Sequence, residues 1–141
     1  MIWAVALREM TEELRWAEAS ANEAGSAQGV DCLCLVHDAP AEAVTQAVEL
    51  AAATWSRPPG TLAVITDVAD FDVLRALGQR FELLPSRHSW NKFGMDDSYE
   101  SFVVARLSDA MRMYEPLVAI GVGEPSRAAV QDARDRLVVG S

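Results

Sequence analysis

Short apolar runs separated by stretches of helical spacing recur along this chain, and that alternation constrains its fold more than any other feature. Residues 30–36 show it best. Val30, Cys32, Leu33, Cys34, Leu35 and Val36 are interrupted only by Asp31, which is the pattern of a strand covered on both faces. Residues 2–7, 61–65, 81–84 and 117–122 read as further strands on the same grounds.

The stretches between them carry helix grammar. Thr11 is expected to cap a first helix with Glu12 and Glu13 at its positive end. Leu14, Ala17, Ala21 and Ala24 form its face, and Gly25 stops it. Asp38 and Pro40 open a second helix reaching Trp55, broken by Arg57-Pro58-Pro59-Gly60. Asp67, with Asp70 three residues on, caps a third helix whose inner stripe is Val68, Phe71, Leu74 and Leu77 and whose end is Gly78. Residues 85–96 read as one long irregular segment. Asp97 and Glu100 give a capping-box pattern for a fourth helix, with Val103, Leu107, Ala110 and Tyr114 inward and Pro116 as the stop. Glu124-Pro125-Ser126 starts a last helix that reaches about Leu137.

Strand and helix in this cadence predict a single α/β domain over residues 1–141. The expected architecture is a three-layer sandwich, with a mostly parallel five-stranded sheet and helices on both faces, Rossmann-like or flavodoxin-like. A chain of 141 residues is long enough to bury one such core.

Charge narrows the partners. A formal net charge of −9 repels phosphate backbones and anionic lipids, the arginines are scattered, and Lys92 is the only lysine. Neither nucleic acid nor membrane is therefore an expected partner. No window approaches the roughly 18 apolar residues of a membrane span, and residues 2–7 are too short for a signal segment, so a cytoplasmic location is expected. Cys32 and Cys34 fall on one face of a strand without a neighbouring His or further Cys, which reads as buried reduced thiols and no metal site.

In doubly wound sheets, ligands bind beyond the carboxyl ends of the strands. On the expected strands, those positions hold Arg8 and Glu9, His37 and Asp38, Thr66 and Asp67, Ser86, Arg87 and His88, and Gly123 and Glu124. Both histidines of the chain are among them. His37, His88 and Asp67 are the candidate bases, since imidazole titrates near neutral pH. Arg87, Trp90, Thr66 and Glu124 are candidate substrate contacts. Asp38 and Asp67 read equally as helix caps, Trp90 as a core side chain, and Glu124 as a helix start. There is no G-x-G-x-x-G, Walker A or G-x-S-x-G motif, and no cofactor is expected. Receiver domains of signalling systems need paired acids after the first strand, where this chain has Leu7-Arg8-Glu9.

Residues 61–132 resemble the N-terminal half of GT-B glycosyltransferases. The similarity lies in the strand Leu62-Ala63-Val64-Ile65-Thr66, the step Phe81-Glu82-Leu83-Leu84-Pro85-Ser86, and the loop with Trp90. It continues through the helix Phe102-Val103-Val104-Ala105-Arg106-Leu107 and Tyr114-Glu115-Pro116 before the last strand. That family carries a Gly-His or Gly-rich turn after its first strand, where the acceptor and often the base are found; the corresponding stretch is Leu7-Arg8-Glu9-Met10-Thr11. The resemblance implies an acceptor-side half whose nucleotide-sugar site is supplied by a donor-binding partner protein. The other expectation is a binding or interaction domain without catalysis, monomeric or a homodimer in which the Ala-rich residues 41–53 let another helix approach closely.

Overall fold

The structure is a computed structural model that describes residues 2–24, 29–67, 71–94 and 96–140. Its first element corrects the sequence reading. Residues 2–7 are not a strand; they begin helix α1, Ile2–Ala24. The reason lies in spacing over a longer window. Ala6, Met10, Leu14, Ala17 and Ala21 are all buried and recur every three or four residues, so residues 2–7 extend a helical stripe that six residues alone do not reveal. Thr11 accordingly caps nothing: it lies inside α1, and its Oγ1 donates to the Leu7 carbonyl one turn back at 3.0 Å. Gly25, the expected stop, lies outside the described residues.

The remaining elements are β1 (Cys32–Val36), α2 (Ala41–Thr54), β2 (Leu62–Thr66), α3 (Phe71–Leu77), β3 (Arg80–Leu83), α4 (Arg87–Lys92), α5 (Tyr99–Tyr114), β4 (Val118–Gly121) and α6 (Glu124–Gly140). The described sheet thus has four strands where five were expected. It is parallel throughout, in the order β3-β2-β1-β4. β1 is central, with Cys34 in register with Val64 on one side and Ile120 on the other.

Period-two alternation along the strands divides the core into two layers. Cys32, Cys34, Leu62, Val64 and Ile120 face α1, α2 and Leu74 of α3. Leu33, Leu35, Ala63, Ile65 and Ala119 face α5 and α6. Both thiols are buried in the first layer and free, and burial pushes the Cys34 thiol up to about 12. Ala47 and Ala51 of α2 are buried in that layer too, and the helices that pack on α2 are the chain's own α1 and α3.

Local details refine the expected caps. α2 starts after Pro40 with no side-chain cap, so Asp38 is free for another role. The capping pair Asp67 and Asp70 cannot be followed into α3, because residues 68–70, Val68 included, lie outside the described residues. Gly78, at φ 69°, ends α3. Residues 85–96 are not wholly irregular: Ser86 Oγ accepts the Ser89 N–H and caps α4. α5 is capped by Ser98 rather than Asp97, through the Ser101 N–H at 3.1 Å, and Glu115 in the left-handed region closes it before Pro116.

At the far end of β4 the chain turns directly into α6, and the fit is close. A Cβ on Gly121 would stand 2.5 Å from backbone atoms of Ser126 and Arg127. Nothing in that contact is a flexible side-chain tip, so Gly121→Ala must push α6 away from the sheet. The expected loss is about 1–3 kcal/mol, the usual range for overpacking, read as a lower urea midpoint at unchanged slope.

Candidate functional site

The strand order places one crevice. From β1 the chain builds β2 and β3 on one side and then returns to add β4 on the other, so the connections diverge between β1 and β4. Ligand sites in open parallel sheets lie beyond the carboxyl ends of the strands at that point. Here the ends present His37 and Asp38 after β1, and Gly123 to Ser126 after β4. A cavity of about 270 Å³ opens there, lined by His37, Asp38, Arg87, Glu100 and Asp132. Its apolar wall comes from Val103 and Val104 of α5 and from Pro125, Ala128 and Ala129 of α6. A second recess of about 340 Å³ follows the outer edge of β4. Its two arginines are already engaged, Arg127 with Glu9 and Arg134 with the Ala119 carbonyl at 2.6 Å.

His37 is the buried polar group of the crevice, 3% exposed. Its backbone N–H donates to Ser126 Oγ at 3.1 Å, and its ring Nδ1 lies 2.7 Å from the same oxygen. Ser126 is itself fully buried and has no other partner among the described residues. A buried hydroxyl that already accepts one N–H keeps its own proton satisfied only by donating it to Nδ1. The hydrogen-bond pattern therefore assigns a neutral ring with the proton on Nε2, and that N–H has no protein acceptor among the described residues. In this state His37 offers the cavity a donor, not a base.

Electrostatics agree with the neutral ring. Burial pushes His37 below its ordinary value; Arg87 pushes the same way, while Asp38, Asp67 and Glu100 oppose both.

Around the ring runs a charged network. The Arg87 guanidinium donates to Asp38 Oδ2 at 2.6 Å and to Glu100 Oε1 at 2.5 Å, and lies 4.9 Å over the Tyr99 ring. Asp38 sits at φ 55°, a left-handed conformation that Asp tolerates better than most residues, and its N–H donates to Asp67 Oδ2 at 3.0 Å. Tyr99 donates its hydroxyl to the Pro85 carbonyl at 2.8 Å, and its ring centroid stands 6.2 Å from that of His37. Both hydrogen bonds to Asp38 and Glu100 raise the guanidinium's proton affinity further, so Arg87 stays charged at every relevant pH.

The structure brings only part of the sequence-derived set together. His37, Asp38 and Arg87 meet at the cavity; Glu100 joins them. Asp67 stands behind Asp38 as its hydrogen-bond acceptor. Thr66 is fully buried at the end of β2, where its carbonyl accepts the Leu84 N–H. Trp90 is a core side chain: its Nε1 donates to the Asp97 carbonyl at 2.8 Å, and its ring packs 4.4 Å from Phe102. His88 is exposed on α4, Glu124 is exposed at the start of α6, and neither lines the cavity. Arg8 and Glu9 do not follow a strand but lie within α1. Ser126 and Asp132 were not singled out. Nothing local distinguishes Ser126 from an ordinary residue of a helix start; its partner is 89 positions away.

The chain matches no family model, and no similar curated protein or solved structure is found for it. Among the described residues, no group of three or more His, Cys, Asp and Glu is placed to hold a metal ion. No described helix is long and apolar enough to cross a membrane. Fold and site together define a parallel α/β domain of Rossmann-like or flavodoxin-like type, with a crevice at its switch point.

Because burial depresses His37 in the folded protein, the unfolded chain takes up its proton first as pH falls. Stability is complete above the ordinary value of 6.5 and is lost as pH drops from there toward the folded-state value. Urea titrations at descending pH should show that slope in the wild type and a shallower one in His37→Asn. An unchanged slope in His37→Asn would exclude the buried neutral imidazole.

Proposed function

We propose that this domain binds a small molecule in the switch-point cavity and performs recognition rather than a reaction of its own. One observation carries the reading. His37 is almost wholly buried, yet its Nε2–H meets no protein acceptor among the described residues and lines the cavity. That N–H opens onto the cavity, where a ligand acceptor takes the place of water as its partner. Arg87 is held by two carboxylates, so it braces the wall of the site. In a nitrogen-15 NMR screen of small molecules, binders should move the His37 ring signals and the amides of Val103, Val104 and Ala129, but leave His88 unmoved. Ala129→Leu, which fills the cavity, should abolish those shifts. Binders that instead move only residues along the outer edge of β4 would sink the assignment.

A second reading has a specific observation in its favour. With residues 2–24 helical, the first strand is β1, and the turn that follows it is His37-Asp38 rather than Leu7-Arg8-Glu9. In GT-B glycosyltransferases, which residues 61–132 resemble, the turn after the first strand is where the acceptor and often the base are found. In that reading the domain is an acceptor-side half completed by a nucleotide-sugar-binding partner. His37 then acts as the base only as its other tautomer: Nε2 gives its proton to solvent, Nδ1 takes one up and donates it to Ser126 Oγ, and the Nε2 lone pair is free. Sugar transfer by the complex should be lost in His37→Ala and retained in His88→Ala; transfer that survives His37→Ala rules this reading out.

A further inference from the structure

The charge around the cavity says which class of ligand it takes. Asp38, Glu100 and Asp132 line it against Arg87 alone, with His37 neutral, which leaves two negative charges in excess. The single guanidinium has its charge already paired with two carboxylates. It is bonded to Asp38 and Glu100 and lies over the Tyr99 ring, so a phosphate or carboxylate entering the cavity would meet carboxylates with no uncommitted cation to offset them. Asp132 on α6 has no ion-pair partner among the described residues. The same cavity is lined by the aliphatic groups of Val103, Val104, Pro125 and Ala129. His37 lines it too, with an Nε2–H that has no protein acceptor among the described residues.

Resting on the reading that the cavity binds a small molecule, we infer that its ligand is a small organic cation. It carries a protonated amine, an apolar body and one hydrogen-bond acceptor. The ammonium pairs with Asp132 and the outer oxygens of the Asp38–Arg87–Glu100 network. The apolar body covers the aliphatic wall, and the acceptor takes the His37 proton. A volume of about 270 Å³ corresponds to roughly nine waters at about 30 Å³ each, which admits a molecule of about ten non-hydrogen atoms. Phosphate-bearing ligands, the usual occupants of switch-point crevices in folds of this kind, are excluded by the same charges.

Four probes separate the possibilities: 2-amino-1-phenylethanol, its uncharged relative 1-phenylethanol, the anion mandelate, and inorganic phosphate. Titration followed by NMR and calorimetry should show the amine binding about fivefold tighter than mandelate, the scale set by one partly exposed ion pair. That preference should shrink as salt is added. Asp132→Asn should weaken the amine severalfold without changing the affinity for 1-phenylethanol, which checks that the cavity itself is intact. Mandelate or phosphate binding as tightly as the amine, or an amine affinity indifferent to Asp132→Asn, overturns the cation assignment while leaving a ligand site in place. If none of the four moves the His37 signals, the ligand-site reading fails and this inference fails with it.

Discussion

β1 is enclosed on every side, and the rest of the molecule follows from that enclosure. Its residues Cys32 to Val36 are bonded to β2 on one edge and β4 on the other, while α1 and α2 cover one face and α5 and α6 the other. A strand with no solvent-facing group leaves no polar position along its length, so its polar residues gather at its ends. Asp31 at one end pairs with Arg57, and His37 at the other bonds Ser126. Parallel neighbours on both edges also demand connections that leave in opposite directions, and the gap between those connections is the crevice.

The His37–Ser126 contact ties that crevice to the fold. It joins the end of β1 to the first turn of α6 across 89 residues, at the place where Gly121 lets the helix lie against the strand. Two buried polar groups satisfy one another there, and the Nε2–H is left to the cavity. The charged network beside it is of a different kind. Arg87 and Glu100 are substantially exposed, so solvent screens the pair and its contribution to stability is small. Its consequence is electrical: it consumes the one cation of the cavity and leaves the acids in excess.

Much of the fold was legible because strands and helices impose different periods on apolar residues. The runs at 30–36, 61–65, 81–84 and 117–122 each became strands within one or two residues. Residues 2–7 did not, because six apolar-rich residues fit either period, and the decision rested on Met10, Leu14, Ala17 and Ala21 continuing the helical one. Capping was legible in kind more than in place. Ser98 took the role expected of Asp97, and Asp38, expected to cap α2, gave its carboxylate to Arg87.

By itself, the sequence determined the alternation of β and α elements, the burial of Cys32 and Cys34, and the absence of the familiar phosphate-binding loops; each is a property of neighbouring residues. It also named His37 and Arg87, since both are unusual residues beside strand ends. Only the tertiary structure decided the strand order, and with it the point where the crevice opens. Only it decided that Trp90 and Thr66 are core while His88 faces solvent, and that Ser126 holds the ring of His37. The physical reason is range. Periodicity and caps act over a few residues, whereas the charge of a cavity and the tautomer of a buried histidine depend on partners brought together from opposite ends of the chain.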